Sequence, residues 1–372
     1  MHDSDPDLLP EGLEDRLPRE AATTTRVMRA VQDVMHVHGY DRVLPPMIEF
    51  ERSLGSRMAG IQSRRMYRFV DPLSLRMMAL RSDFTPQIGR IAETRLAGAA
   101  RPLRLCYAGQ VLTIKPDGLD PARERLQCGA ELIGADNVAA ASEVVSIAIE
   151  ALQAAGATGI SVDFTLPDLV DTLAEKALPL APGQIETVRR ELDTKDAGGL
   201  IAAGGEAYVP LLYATGEFDT AIEKLAAIDA GGALASRIAA LREIAARLGN
   251  SVRITLDPSE RHGFEYQSWF GFMLYADGVR GALGRGGTYR ISGAGEGEVA
   301  TGFSLYPDAL IALVAAGDPQ EDRLFLPLDH DRDTAARLRS IGWRTVAALN
   351  ADDTAQKLGC THVLERDGPV KL

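Results

Sequence analysis

The stretch 102–134, PLRLCYAGQVLTIKPDGLDPARERLQCGAELIG, constrains the fold of this chain more than any other. It reads as two apolar strands, Leu103–Ile114 and Leu126–Ile133, joined by a loop that holds Pro116, Asp117, Gly118, Asp120 and Pro121. The loop is too long and too charged for a two-residue turn. Lys115, Arg123, Glu124 and Arg125 stand where such a hairpin opens onto a pocket. On the returning strand Gln127 and Glu131 alternate with apolar residues, which puts both on one face. A polar pair on the covered face of a central strand costs stability unless something hydrogen-bonds to it. Either the two satisfy each other and the backbone, or they face a ligand.

Upstream, Val27, Met28, Ala30, Val31, Val34 and Met35 recur at helical spacing within Ala21–His38, and Gly39 ends the helix. Tyr40–Phe50 holds Pro45 and Pro46 and reads as an extended edge segment, because proline cannot donate to a ladder. Met66–Val70 and Leu75–Leu80 form a hairpin around Asp71 and Pro72. The polar turn Arg81–Pro86 then leads into a helix over Ile88–Leu96.

Downstream of the central hairpin, Ala139–Ala155 is helical by composition and Ser161–Phe164 is a strand. Residues 166–248 are rich in Ala, Leu, Glu and Arg, and glycine pairs at 198–199, 204–205 and 231–232 divide them into three or four short helices. This segment carries no recognisable chemistry and reads as a lid or packing module. Strands return at Val252–Leu256, Gly263–Tyr275, Gly281–Ile291 and Val299–Leu305, and Pro307 opens a helix over Asp308–Ala316.

The tail alternates strand and helix: Leu324–Pro327, Thr334–Ile341, Thr345–Ala348, Thr354–Leu358 and Val363–Glu365. The expected class is α+β, a largely antiparallel sheet with helices on it. Residues 1–165 with 250–318 form the core, 166–249 a helical insertion, and 319–372 a small C-terminal α/β domain.

Composition narrows the function. No run of about eighteen apolar residues occurs, so no membrane partner is expected, and the acidic N-terminus lacks the order of a signal peptide. A cytoplasmic location follows as the expectation. Cys106, Cys128 and Cys360 are odd in number and flanked by apolar residues, as reduced, buried thiols are. A net charge of −12 with no basic run argues against nucleic acid. The six histidines show no metal-ligand spacing, and His36 and His38 read as a solvated helix end. Neither metal nor cofactor is expected.

The ordered set LPEG (9–12), LRSDFTPQ (80–87), QCGAELIG (127–134), RHGFEYQ (261–267), RGGTY (285–289) and GFSLYPDAL (302–310) resembles the catalytic domain of the histidyl-tRNA synthetases. It is still more similar to their paralogues, the ATP phosphoribosyltransferase regulatory subunits, over residues 9–316. The resemblance implies a class II aminoacyl-tRNA synthetase-like antiparallel sheet of six or seven strands flanked by helices, dimerising through Tyr40–Phe50.

It also implies roles for residues. Asp83 and Thr85 match a turn that holds the α-amino group of histidine, and Gln127 matches a residue at the amino acid's backbone end. Glu131 and Tyr266 match the pair that reads the imidazole, a carboxylate and a phenol addressing two ring nitrogens. Arg261 matches the arginine of the histidine-specific signature, a cation suited to a carboxylate.

The departures from the synthetase pattern are equally informative. Thr113 and Lys115 stand where it has an arginine on the α-phosphate of ATP and a glutamate, Ala309 where it has an arginine on adenine, and Thr288 replaces a further arginine. Adenylation needs preorganised cations on the triphosphate. The segment after Pro319 is also about half the size of an anticodon-binding domain, and no basic footing for tRNA exists.

Arg123 and Lys115 are the candidate anion contacts, although solvation is the plainer reading for Lys115 and for Arg125. The implied function is therefore that of a non-catalytic regulatory subunit. It partners a short-form catalytic ATP phosphoribosyltransferase, as a homodimer within a hetero-oligomer, and confers histidine feedback. The alternatives are a ligase making histidyl adenylate and a scaffold that senses nothing.

Overall fold

The computed structural model describes residues 9–55, 66–114, 121–261, 267–291, 297–317 and 321–372. The chain divides into two compact units, Met1–Ala316 and Gly317–Leu372.

The first unit opens with helix α1 (Pro18–Val37), which buries Thr23, Val27, Val31 and Met35 along one four-residue stripe. Gly39, at φ +81°, turns the chain into β1 (Asp41–Arg42). Strand β2 (Ile48–Phe50) and the short helix α2 (Glu51–Gly55) follow. Pro45 and Pro46, which lack N–H groups, part β1 and β2 into different sheets. Strands β3 (Arg68–Val70) and β4 (Met77–Leu80) form the expected hairpin, and β2 joins it in a three-stranded sheet ordered β2–β4–β3.

Helix α3 (Thr85–Thr94) begins at Thr85 with Pro86 in its first turn, where a missing N–H costs nothing. The central hairpin is β5 (Leu103–Leu112) and β6 (Glu124–Ile133), paired without a break from Leu103↔Ile133 to Leu112↔Glu124. Helix α4 (Val138–Ala154) is capped by Asn137, whose side chain accepts from the Ala140 N–H.

Strand β7 (Ser161–Thr165) leads to five α-helices rather than three or four. These are α5 (Leu169–Lys176), α6 (Pro182–Asp193), α7 (Ala197–Ala202), α8 (Phe218–Ile228) and α9 (Ala235–Leu248). A two-residue strand, β8 (Gly216–Glu217), precedes α8. Gly204, Gly231 and Gly232, all at positive φ, act as breaks, whereas Gly198 and Gly199 lie inside α7.

The first unit closes with β9 (Arg253–Leu256), β10 (Gln267–Tyr275), β11 (Gly284–Ile291), β12 (Glu298–Leu305) and α10 (Asp308–Gly317).

Its main sheet runs β1–β5–β6–β12–β11–β10–β7–β9–β8. Nine strands, not six or seven, take part among the described residues, and the sheet is not wholly antiparallel. The run from β5 to β7 is antiparallel throughout, whereas β1 pairs parallel with β5 and β7 parallel with β9. Helices α5 to α9 supply the long crossover that a parallel β7–β9 pair requires.

The pleat sorts side chains between two cores. Cys106, Cys128, Ala130, Leu132 and Phe303 join the large cluster with α1 and α4, and Phe84, Ile88, Tyr107, Ile133, Tyr289 and Ala300 form a smaller cluster under α3. Gln127 and Glu131 fall on the α3 side.

The second unit has β13 (Arg323–Leu326), α11 (Arg332–Ser340), β14 (Arg344–Ala347), β15 (His362–Glu365) and β16 (Gly368–Lys371), in sheet order β14–β13–β15–β16. The expected helix at Thr354–Leu358 is instead a set of turns. Leu358 N–H reaches Thr354 O at 3.1 Å, and Gly359, at φ +63°, stops it there.

Among the described residues no helix is long and apolar enough to cross a membrane, and no group of three or more His, Cys, Asp or Glu could hold a metal ion. All three cysteines are buried and unbridged.

Candidate functional site

The β5–β6 hairpin, the turn before α3 and strands β11 and β12 together hold one connected polar network. Gln127 is fully buried and Glu131 is 2 % exposed. They do not bond to each other. Gln127 Oε1 accepts from the Phe84 N–H at 3.0 Å, while its Nε2 donates to Asp83 Oδ1 at 3.0 Å and to Ser304 Oγ at 2.8 Å. Asp83 Oδ1 also accepts from the Thr85 N–H at 2.8 Å, which fixes the start of α3.

Glu131 accepts from Tyr289 Oη at 2.8 Å, from Thr85 Oγ1 at 3.1 Å and from Tyr107 Oη at 3.3 Å. Burial dominates its electrostatics and pushes its carboxyl up to about 8, although the three hydroxyls pull the other way. Asp83, Thr85, Gln127 and Glu131 are thus brought together.

Glycines make the space. Gly129 separates Gln127 from Glu131, and a Cβ there would lie 2.1 Å from Phe303 O and 2.6 Å from Tyr107 Oη. Antiparallel pairing of β6 with β12 sets Gly302 opposite Glu131. The resulting cleft, lined by Asp83, Thr85, Glu131, Arg285, Tyr289 and Ser304, has room for about 20 Å³, the space of about one water. A second cleft, of about 190 Å³, has Ser82, Thr113, Arg125, Arg285 and Tyr306 in its wall. Arg285 borders both clefts.

The remaining sequence-based candidates lie elsewhere. Arg261 does not border the Glu131 cleft. Its N–H donates to Asp193 Oδ1 at 2.9 Å and its guanidinium to Glu186 Oε1 at 3.0 Å, beside Arg189 and Pro258. Arg123 is tied by its backbone, N–H to Gly12 O at 2.8 Å and O from the Thr113 N–H at 2.9 Å, and its side chain is in neither cleft wall. Tyr266 and Lys115 fall outside the described residues.

Arg125 is half-buried in the wall of the second cleft. Its Nε is buried, and its guanidinium lies 4.7 Å from the centre of the Tyr306 ring. Thr288 needs correction as a lost ATP contact at this site. It lies on the opposite side of β11 from Tyr289, bonded to Ser268 Oγ at 2.7 Å and to the Phe270 N–H at 3.2 Å. Thr113 does border the second cleft, and Ala309 is exposed on α10.

Tyr107, Tyr289, Ser304 and Arg285 are site residues that the sequence did not single out. Arg285 and Tyr289 sit two steps either side of Gly287, on one face of a strand, so alternation alone could have paired them.

The histidyl-tRNA synthetase family model matches residues 12–310. Proteins of Rhodospirillum centenum and Paramagnetospirillum magneticum named ATP phosphoribosyltransferase regulatory subunit are each 41 % identical to this chain. The first alignment covers 96 % of this chain and 94 % of the relative, the second 98 % of both. A solved structure from Bacillus halodurans, described as an ATP phosphoribosyltransferase regulatory subunit/histidyl-tRNA synthetase, superposes with a TM-score of 0.83 at 23 % identity, covering 96 % of this chain and 97 % of that one. A histidyl-tRNA synthetase from a Nostoc species gives 0.77 at 17 % identity, covering 96 % and 91 %. These two share the class II synthetase-like fold expected from the motifs. On the family match and the full-length identities, the chain belongs to the histidyl-tRNA synthetase family and, within it, to the ATP phosphoribosyltransferase regulatory subunits.

Proposed function

We propose that this chain is the regulatory subunit of a short-form ATP phosphoribosyltransferase, without catalysis of its own, and that histidine acts on it as feedback effector at the Glu131 cleft. The observation that carries the reading is the network around Glu131. A buried carboxyl held by three hydroxyls, with the Asp83 carboxylate in the same wall, offers one acceptor for an imidazole nitrogen and another for an ammonium group.

About 20 Å³ admits a water and not an imidazole, so the reading requires a wall to move. That requirement suits an effector, which must bind one state of the complex better than another; a coupling of about 1–3 kcal/mol gives five- to 150-fold regulation. Thr113, neutral at a position where the resemblance places a phosphate-binding arginine, supports the absence of ligase chemistry. The homodimer through Tyr40–Phe50 belongs to the same proposal, supported by the exposed apolar side chains of Leu44 and Ile48.

The test is phosphoribosyl-ATP formation by a short catalytic chain from the same source, with and without this protein, across a histidine titration. The protein is expected to raise the rate and histidine to lower it again. An unchanged rate on adding the protein refutes the regulatory reading, and histidine-dependent pyrophosphate exchange by this chain alone refutes the absence of catalysis.

A further inference from the structure

The Glu131 cleft admits a water and not an imidazole, so one of its walls must yield for histidine to enter. Ladders fix three of the walls. Strand β6 pairs with β5 from Leu103↔Ile133 to Leu112↔Glu124, β12 with β6 from Ala300↔Ile133 to Leu305↔Cys128, and β11 with β12 from Gly284↔Leu305 to Ile291↔Glu298. Asp83 and Thr85 differ. They come from the turn 82–84 and the first residue of α3, which belong to no ladder among the described residues.

That turn is anchored at Arg81. Its main chain bridges two segments, N–H to Met47 O at 3.0 Å and O from the Leu112 N–H at 3.0 Å. Its side chain repeats the bridge two residues back on each, Nη1 to Pro45 O at 3.1 Å and Nε to Gln110 O at 2.8 Å. The guanidinium also lies 3.8 Å from the centre of the Phe84 ring, and Phe84 stacks on Tyr107 with centroids 4.8 Å apart and planes at 12°. Tyr107 Oη in turn reaches Glu131 Oε1 at 3.3 Å. Gly109 leaves the room for this stack: a Cβ there would lie 2.9 Å from Arg81 Nη2 and 3.0 Å from Phe84 Cζ.

Arg81 is 7 % exposed, and burial pushes its pKa down to about 10. Among the described residues its guanidinium bonds to carbonyl oxygens and not to a carboxylate. A buried cation so placed costs stability that an apolar side chain would not. Neither Arg81, Phe84 nor Gly109 lines the cleft, so none of them acts by touching a ligand there.

We propose that Arg81 is a positioning residue that holds the Asp83–Thr85 wall closed through Phe84, and that histidine enters when this turn swings away from the guanidinium. The inference rests on the effector reading of the Glu131 cleft. Its consequence is a sign. A contact made only in the closed state opposes the ligand, because the observed affinity is the intrinsic one reduced by the fraction of molecules that are open. Weakening that contact should sharpen histidine sensitivity, whereas simple damage to the site would blunt it.

The test is a histidine titration of phosphoribosyl-ATP formation by the complex of this chain with a short catalytic chain. R81K keeps the charge and loses the planar fork that spans two carbonyls. Gly109→Ala presses on the guanidinium and the Phe84 ring from β5 and removes neither. Each should lower the half-inhibitory histidine concentration about threefold or more, while also lowering the melting midpoint of the free chain. Asp83→Asn, which alters the wall itself, should raise that concentration.

Gly109→Ala, the smaller change, carries the test if R81K does not fold. Half-inhibition of the folded variants at the parent's histidine concentration or above it overturns the role of Arg81 and leaves the effector reading standing. Absence of inhibition by histidine in the parent complex overturns the effector reading, and the role of Arg81 with it.

Discussion

Gly302 faces Glu131 across the β6–β12 ladder so closely that a Cβ on it would lie 1.6 Å from Glu131 Oε2. No L-residue other than glycine fits there while the carboxyl stays where it is. Gly302→Ala should therefore cost about 1–3 kcal/mol in urea unfolding, with an unchanged m-value. Pairing it with Glu131→Ala frees the space, and a double-mutant cycle should then return a favourable coupling of about 1 kcal/mol or more. Strict additivity would show that the two residues do not meet.

Glu131 holds its proton to about pH 8 when folded and to about 4.5, the ordinary glutamate value, when unfolded. Its stabilising share is thus complete below about pH 4.5 and is lost as pH rises toward 8, by up to about 1.4 kcal/mol per pH unit. Glu131→Gln cannot titrate, so its stability relative to the parent chain should improve steadily from pH 5 to pH 8. Unfolding midpoints at four pH values check this; a constant difference would mean that the carboxyl ionises normally.

If the cleft senses histidine, its hydroxyls tune that sense. Tyr289→Phe removes the 2.8 Å donor to Glu131 and should raise the histidine concentration for half-inhibition of the complex about tenfold. Tyr266→Phe should act in the same direction. Co-elution with the catalytic chain should be intact for both variants, and loss of assembly would reassign these residues to structure.

Arg261 is held by Glu186, whose side chain is 69 % exposed. Such a pair contributes little, so Glu186→Gln should shift stability by less than about 0.5 kcal/mol. If Arg261 also serves the histidine carboxylate, releasing it should lower the half-inhibitory histidine concentration, a change that assays of the complex would register.

Burial raises the pKa of all three cysteine thiols, Cys106 to about 11, and leaves little thiolate at neutral pH. The native chain should resist a disulfide reagent such as DTNB at pH 7.5 and release three equivalents of colour on unfolding.

What was legible in the sequence was local. Alternation placed Gln127 and Glu131 on one face of β6, and the polar turn Arg81–Pro86 announced α3, although the helix begins at Thr85, inside that turn, rather than at Ile88. Long-range register was not legible. Nothing local says that β12 enters between β6 and β11, which is what carries Tyr289 and Gly302 to Glu131. Arg261 is held by residues 68 and 75 positions earlier, beyond any window of periodicity. The β15–β16 hairpin turns on Arg366-Asp367, and Gly368, at φ +130°, opens β16 opposite Glu365.

Gly286, Gly287 and Gly302 give the Glu131 cleft a floor of bare main chain. Main chain has no rotamers to exchange, so the floor cannot be resculpted one side chain at a time. Adaptation to a different effector would have to come through the walls, Arg285 and Tyr289 foremost, or through displacement of whole strands. Ligand choice at such a site should drift slowly even where the surrounding surface diverges quickly.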